Sequence, residues 1–314
     1  MYEHVTHLED TKSGYSRRQF ISSALAGVGV AVAGPAWLQA AEASKPVRQR
    51  RATDIVTLGR TGIKATRLAQ GTGFNGGERS SEHTRLGMKE FGKLIRHSLD
   101  QGIRFIDMAD LYGSHQYVRN ALDGVPRDKY ILLSKIWPRE AFWNLPSGGA
   151  KEEVNRFCKE MNSEVIDICL IHCMMDAEWP QTFGRIRDEL SQMKDKGAVR
   201  AVGVSCHDFG ALKVAAAHPW VDVVLARINN RGTEAYMDAS VPEVTAVLKQ
   251  ARANGKVVLG MKIFGGGKLV TPAEKDASLK YVFENDLVDA ITVGTLSPEQ
   301  VDDTIERVNK ALKA

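Results

Sequence analysis

The chain has 314 residues, 43% of them hydrophobic and 25% charged, with a formal net charge of +4. That much apolar material excludes a largely disordered chain, and so mild a charge, part of it from Lys45, Arg48, Arg50 and Arg51, gives no sign of a nucleic-acid surface. The length suits one large α/β domain or two of ordinary size.

The first forty-odd residues differ from the rest. Ser16 precedes the pair Arg17-Arg18, Phe20 and Ile21 follow, a small-residue apolar stretch runs to about Ala33, and Ala41-Glu42-Ala43 closes the segment. This order of charged, apolar and small-residue regions reads as a signal segment over 1–43, and the arginine pair resembles the twin-arginine export motif. It predicts cleavage after Ala40 or Ala43, a linker over 44–53, and delivery to the periplasm by the twin-arginine machinery, which carries folded proteins. A retained anchor is the alternative. The apolar run falls short of the ~20 residues a spanning helix needs, so no stable membrane anchor is expected.

From Asp54 onward, strand-like and helix-like segments alternate. A small hairpin turning at Gly59 to Gly62 precedes a first strand near Leu68. Further strands are predicted over 104–107, 130–135, 166–171, 200–204, 221–225, 257–261 and 289–293. Helices are predicted over 87–101, 114–123, 149–162, 181–196, 208–217, 241–254, 272–284 and 298–312. Strands such as "DICLI", "VVLA" and "KVVLG" are continuously apolar, which marks parallel strands covered on both faces. Eight βα units over 54–314 predict a (β/α)₈ TIM barrel with a short N-terminal β-hairpin. A doubly wound sheet would usually carry a glycine fingerprint opening a helix, and "GTGFNGG" at Gly71 to Gly77 is not promptly followed by one. Cys158, Cys169, Cys173 and Cys206 form no metal pattern; Cys169 and Cys173 share one strand, ~13 Å apart, beyond disulfide reach.

Catalytic groups of such a barrel lie at the C-terminal ends of its strands. "RFIDMADLYG" places Asp107, Asp110 and Tyr112 there, "YILLSK" ends in Lys135 and "DICLIH" ends in His172. Singly, each has a bland reading as a solvated or structural residue. Together, proton-exchanging groups at one end of three neighbouring strands point to chemistry. The glycine run is a weaker signal: in "KIFGGGKL", Lys262, Gly265, Gly266 and Lys268 could meet a pyrophosphate or form a plain turn. Trp137, Trp143 and Trp179 lie in loops that could wall a substrate pocket or simply anchor the chain.

These residues resemble the aldo-keto reductases, from "LGRTGIKATRLAQGT" through "GIRFIDMADLYG", "LLSK", "LIH" and "VRAVGVS" to "VGTLSPEQVDDTI". The resemblance implies a tetrad of Asp107, Tyr112, Lys135 and His172, an NADP cofactor with NAD as the alternative, and a small-molecule carbonyl substrate. Asp110 has no place in the tetrad and is expected to be a loop or helix-capping residue. Hydride reduction of a carbonyl generates an oxyanion, so Tyr112 would donate the proton and His172 would orient the carbonyl. Lys135, kept ionised by Asp107, would favour the phenolate.

The resemblance also implies that Ser205 contacts the nicotinamide carboxamide. Cys206 stands where relatives carry asparagine, and Leu225 and Ile228 stand where they carry glutamine and a stacking aromatic residue. Arg227 and Asn229 are candidates to replace those contacts, or else salt-bridged rim residues. Gly294 and Gln300 occupy positions where NADP-selective relatives carry basic residues. Two other functions remain open at this point: a catalytically weak cofactor-binding or regulatory barrel, and a lyase or isomerase using the tyrosine and lysine.

Overall fold

The structure, a computed structural model, describes residues 49–138 and 148–313. The signal segment expected over 1–43, the first part of the expected linker and Trp143 lie outside the described residues. Two short strands, β1 (Ile55–Thr57) and β2 (Lys64–Thr66), pair antiparallel across the turn at Gly59–Thr61. Leu58 and Ile63 from this hairpin are buried among the interior side chains of the barrel, beside Val257. The hairpin therefore closes the N-terminal end of the barrel.

Eight parallel strands form the closed barrel: β3 (Leu68–Gly71), β4 (Phe105–Asp107), β5 (Ile131–Ile136), β6 (Ile166–Met174), β7 (Val199–Cys206), β8 (Val223–Arg227), β9 (Val257–Met261) and β10 (Ala290–Val293). β10 pairs with β3 to shut the ring. The helices are α1 (Glu82–Arg85), α2 (Gly87–Asp100), α3 (His115–Ala121), α4 (Ala150–Met161), α5 (Trp179–Thr182), α6 (Gly184–Asp195), α7 (Phe209–Ala217), α8 (Val241–Ala253), α9 (Pro272–Glu284) and α10 (Pro298–Ala311). The expected barrel and hairpin are both present. Two details differ from the sequence reading: α1 is an extra short helix capped by Ser81, and the helix read over 181–196 is broken at Phe183 into α5 and α6.

Strand alternation decides which side chains enter the barrel. Ala69, Phe105, Leu133, Ile168, Leu170, Ala201, Val223, Leu225, Val257, Leu259 and Ala290 fill its interior. Their neighbours, among them Ile106, Leu132, Cys169, Val202, Val224 and Ile291, pack outward against the helices. α2 shows the complementary pattern, burying Phe91, Leu94, Ile95, Ser98 and Leu99 at helical spacing. No helix among the described residues is long and apolar enough to cross a membrane.

Candidate active site

Two-residue periodicity carries the interior rows of the barrel up to the site. Phe105 is followed on the same face by Asp107, Leu133 by Lys135, and Leu170 by His172. All three polar side chains are therefore aimed inward at the C-terminal mouth, and all are buried. β6 runs three residues further than the sequence suggested, with an irregular register between Ile171 and Met174 and Cys173 in a left-handed conformation at φ = 64°. His172 thus stands at a bulge rather than at a strand end, and such bulges re-aim side chains.

The Lys135 ammonium donates to Asp107 Oδ1 and, over 2.7 Å, to the carbonyl of Met108. Thr292 Oγ1 donates to the other carboxylate oxygen, Asp107 Oδ2, at 2.9 Å. Tyr112 follows in a tight turn, Asp110–Tyr112, which brings its hydroxyl to 3.4 Å from His172 Nε2 and its ring under the Lys135 ammonium, 4.9 Å from the ring centroid. Trp137 stands edge-on to His172 with centroids 5.4 Å apart, so this tryptophan does reach the site. Trp179 does not: it is buried beside His218 and Trp220 and acts as an anchor.

Burial, reinforced by Asp107 and then Cys173, pushes the Tyr112 phenol well above its ordinary pKa of 10, so in the resting site these effects outweigh the nearby Lys135 ammonium and the phenol stays neutral. Burial also pulls the Lys135 pKa down, with Asp107 opposing that effect. The pair then holds a cation in place against its own desolvation.

Asp110 opens the turn after β4, the loop placement of the two expected, and caps no helix; its buried carboxylate pairs with Arg156 at 2.9 Å and Arg79 at 3.4 Å. Burial raises its pKa against the lowering effect of both guanidinium groups.

A cavity of about 370 Å³ begins at Asp107 and Tyr112 and extends across the ends of β9 and β10 to the first turn of α10. Lys262, Gly266, Gly294 and Gln300 of the expected cofactor residues line it. The Lys262 ammonium lies beside the Gly266 backbone: a Cβ added there would be 3.5 Å from Nζ. Burial, then Arg227, lowers the Lys262 pKa. Ser205 is buried near the C-terminal end of β7, outside the cavity lining, where its hydroxyl accepts from the Cys173 N–H at 2.8 Å.

Four other candidates are placed elsewhere. Asn229 is buried and spends its side chain on the carbonyls of Ala235 (2.8 Å) and Lys262 (3.3 Å) and the N–H of Arg231 (2.9 Å). Arg227 is ion-paired with Asp238 and donates to the carbonyl of His207 at 2.5 Å, which makes it the rim residue of the alternative reading. Lys268 turns to the carbonyl of Glu234, at 2.9 Å. Gly265 is buried against Ala235. Leu225 lines the cavity, whereas Ile228, one register step out of phase, packs among the outer core.

Sequence reading missed several contributors. Lys275, Thr292 and Phe74 line the cavity. "GTGFNGG" begins at the last residue of β3, and its sequence signals no more than a failed dinucleotide fingerprint. Its real part is steric: a Cβ at Gly73 would come within 2.2 Å of the Tyr112 ring, and one at Gly76 within 2.5 Å.

A cation beside a glycine turn and an enclosed proton donor suit an anionic dinucleotide, so the residues present fit a nicotinamide cofactor, although α10 brings Glu299 in its first turn and Asp303 on the cavity wall. The model of the aldo/keto reductase family matches residues 67–278, and the chain belongs to that family. It is 31% identical over 166 residues to the aldo-keto reductase YhdN of Bacillus subtilis, covering 48% of this chain and 46% of that protein. It is 28% identical over 161 residues to a protein of Glycine max described as probable aldo-keto reductase 1, covering 48% and 44%. These matches thus span about half the length of each curated relative. Among solved structures, one from Pseudomonas aeruginosa, provisionally assigned as an aldo-keto reductase, superposes with a TM-score of 0.68 at 22% identity, over 85% of this chain and 98% of that one. The aldo-keto reductase AKR11C1 of Bacillus halodurans, a holo form, gives 0.63 at 16% identity, over 83% and 95%. At these identities the structures share the fold.

Proposed function

We propose that this protein is an NAD(P)H-dependent oxidoreductase that reduces an aldehyde or ketone to an alcohol, with Tyr112 as the proton donor. The observation that carries the proposal is the convergence of Tyr112, His172, Lys135 and Asp107 on one end of a cavity whose other end is cationic. When bound, a nicotinamide cofactor supplies the hydride. Lys262, Gly266 and Gln300 would hold it.

The chain's own residues then handle the oxygen. A phenol with a raised pKa keeps its proton at neutral pH, which is the form a general acid needs. As the proton leaves Tyr112 Oη for the carbonyl oxygen, the phenolate that develops lies next to a lysine fixed as a cation, and no reorganisation of Asp107, Lys135 or Thr292 is required. His172 Nε2, 3.4 Å from that hydroxyl, is placed to donate to the same oxygen and orient it.

Lys262 and Lys275 in the cavity support NADPH over NADH, with uncharged Gln300 and Gly294 leaving NADH as the alternative. The arginine pair at Arg17-Arg18 supports export as a folded, cofactor-loaded protein. The test is a fluorescence titration with NADPH and NADH, followed by turnover of a simple aromatic aldehyde. Tyr112→Phe should bind cofactor like the parent and lose about 100-fold or more in kcat. Equal turnover by the two proteins would sink the assignment. Cofactor binding with no turnover by the parent protein would favour the weakly active barrel, a reading supported by the aliphatic Leu225 where relatives place an amide.

A further inference from the structure

We propose that Asp110, gripped by Arg79 and Arg156, is a positioning residue that fixes Tyr112 by clamping the loop over residues 73–80 against its ring. This rests on Tyr112 being the proton donor. The argument starts from the backbone. Asn75, Glu78 and Arg79 all adopt left-handed conformations, at φ = 49°, 51° and 55°, which non-glycine residues adopt at a cost. The loop offsets part of that cost internally, with Gly76 N–H donating to the Gly73 carbonyl at 3.0 Å and Gly77 and Ser80 paired at 2.8–2.9 Å, and contacts from outside then fix where it lies.

The loop carries no spare space on its Tyr112 side. Gly73 and Gly76 lie flat on the ring, and a Cβ at Gly113, φ = 63°, would be 1.9 Å from the Arg79 carbonyl oxygen. Loop and turn therefore fit together only in this arrangement. Arg85 ties Ser80 to α1 at 3.1 Å, and the hold toward the Tyr112 turn comes from Arg79, whose guanidinium reaches Asp110 at 3.4 Å and Glu160 at 3.2 Å. Asp110 is the first residue of the turn that ends in Tyr112.

Behind the turn the same charges continue. Arg156 pairs with Asp110 at 2.9 Å, with Glu160 at 2.9 Å and with Glu153. His115, three residues after Tyr112, meets Glu160 Oε2 through Nδ1 at 2.6 Å and is hydrogen-bonded through Nε2 to the Ser134 hydroxyl at 2.8 Å. Ser134 immediately precedes Lys135 on β5, with its side chain on the outer face. The cluster thus joins the segment carrying the proton donor to the strand carrying its lysine, touching neither substrate nor cofactor cavity.

The test compares Asp110→Asn and Arg79→Met with the parent protein and with Tyr112→Phe, using Arg252→Met, a variant at a remote ion pair, as a stability control. Two quantities are read: turnover of an aromatic aldehyde, and the titration of Tyr112 as the phenolate absorbance absent from Tyr112→Phe. Both cluster variants should lower kcat about tenfold or more, and should cost nothing further in kcat in the Tyr112→Phe background. Both should also bring the phenol titration down toward its ordinary value by about one pH unit or more, because an opened loop admits water. For Arg79→Met that direction is decisive, since losing a nearby cation would by itself raise a phenol pKa. An unmoved or raised titration, unchanged kcat, or an equal loss with Tyr112 already removed would overturn the proposal. Should Asp110→Asn fail to fold, the half-exposed Arg79 carries the test. If the parent protein turns over no aldehyde, the proposed reduction fails, while the phenol titration still decides whether the clamp exists.

Discussion

The Lys135–Asp107 pair has a cost as well as a use. Both side chains are almost wholly out of water, so each is tolerable only because of the other and of the Met108 carbonyl and Thr292 hydroxyl that complete their bonding. Lys135→Met should therefore do two separable things. It should lower kcat by about 100-fold or more, and it should destabilise the fold by about 3–5 kcal/mol by leaving Asp107 buried without its cation. Chemical denaturation would show the second effect shrinking in Lys135→Met/Asp107→Asn, while turnover stays lost. Recovery of turnover in the double variant would mean that the lysine acts only structurally.

At the level of elements, the loop after β3 and the contacts between β3 and β10 shape the site. Gly73→Ala should push the Tyr112 ring from its place, reducing turnover about tenfold at a stability loss of about 1–3 kcal/mol, measured by kinetics and melting on the same protein. His83 of α1 reports on the far side of the cavity. It is fully buried, donates from Nε2 to the Thr295 carbonyl at 2.9 Å, and burial pulls its pKa from 6.5 down to about 4 despite the raising effect of that hydrogen bond. A base with a depressed folded pKa leaves the unfolded chain binding more protons between pH 6.5 and 4. Its contribution is therefore complete above pH 6.5 and lost as pH falls toward 4, amounting to about 3 kcal/mol at most. The opposing effect of Asp238, raised to about 6 chiefly by burial, acts in the same window, so the comparison must be with His83→Gln. The parent protein should lose more stability than His83→Gln on acidification over that range; parallel curves would contradict the assignment of a neutral His83.

Over the whole molecule, the barrel separates stability from chemistry along its axis. The hairpin closes the N-terminal end with Leu58 and Ile63, and the charged and polar groups converge at the C-terminal mouth. The cavity that leaves the tetrad carries Lys262 and Lys275, with Asp303 on the same wall, so the proposed dinucleotide binding should weaken as salt rises. Lys262→Met should weaken NADPH and NADH binding alike, by about tenfold, as expected for loss of a charge-assisted contact to a phosphate common to both. Lys275→Met should weaken NADPH more than NADH if that lysine meets the additional phosphate. Equal effects of Lys275→Met on the two would remove the support it gives to NADPH.

Much of this was readable in the chain order of residues. Continuous apolar strands alternating with helices predicted the barrel because a parallel strand buried on both faces leaves no polar side to record. Asp107, Lys135 and His172 were legible because each polar residue terminates an apolar row at a spacing of two, and Tyr112 because it follows directly on that end. Ile228 could not be placed from local pattern, since one step of register decides between cavity and outer core. Asn229 and Arg227 looked like cofactor ligands until their partners, Ala235 and Asp238, were seen folded back on them. Asp110 and "GTGFNGG" gained their meaning only from segments far away in sequence, Arg156 on α4 and the Tyr112 ring, which the closed barrel brings together. Local sequence determines strand, turn and inward-facing row because these depend on backbone geometry and near neighbours. Which charge meets which, and which glycine must yield to which ring, depends on contacts between distant segments that exist only once the barrel has closed.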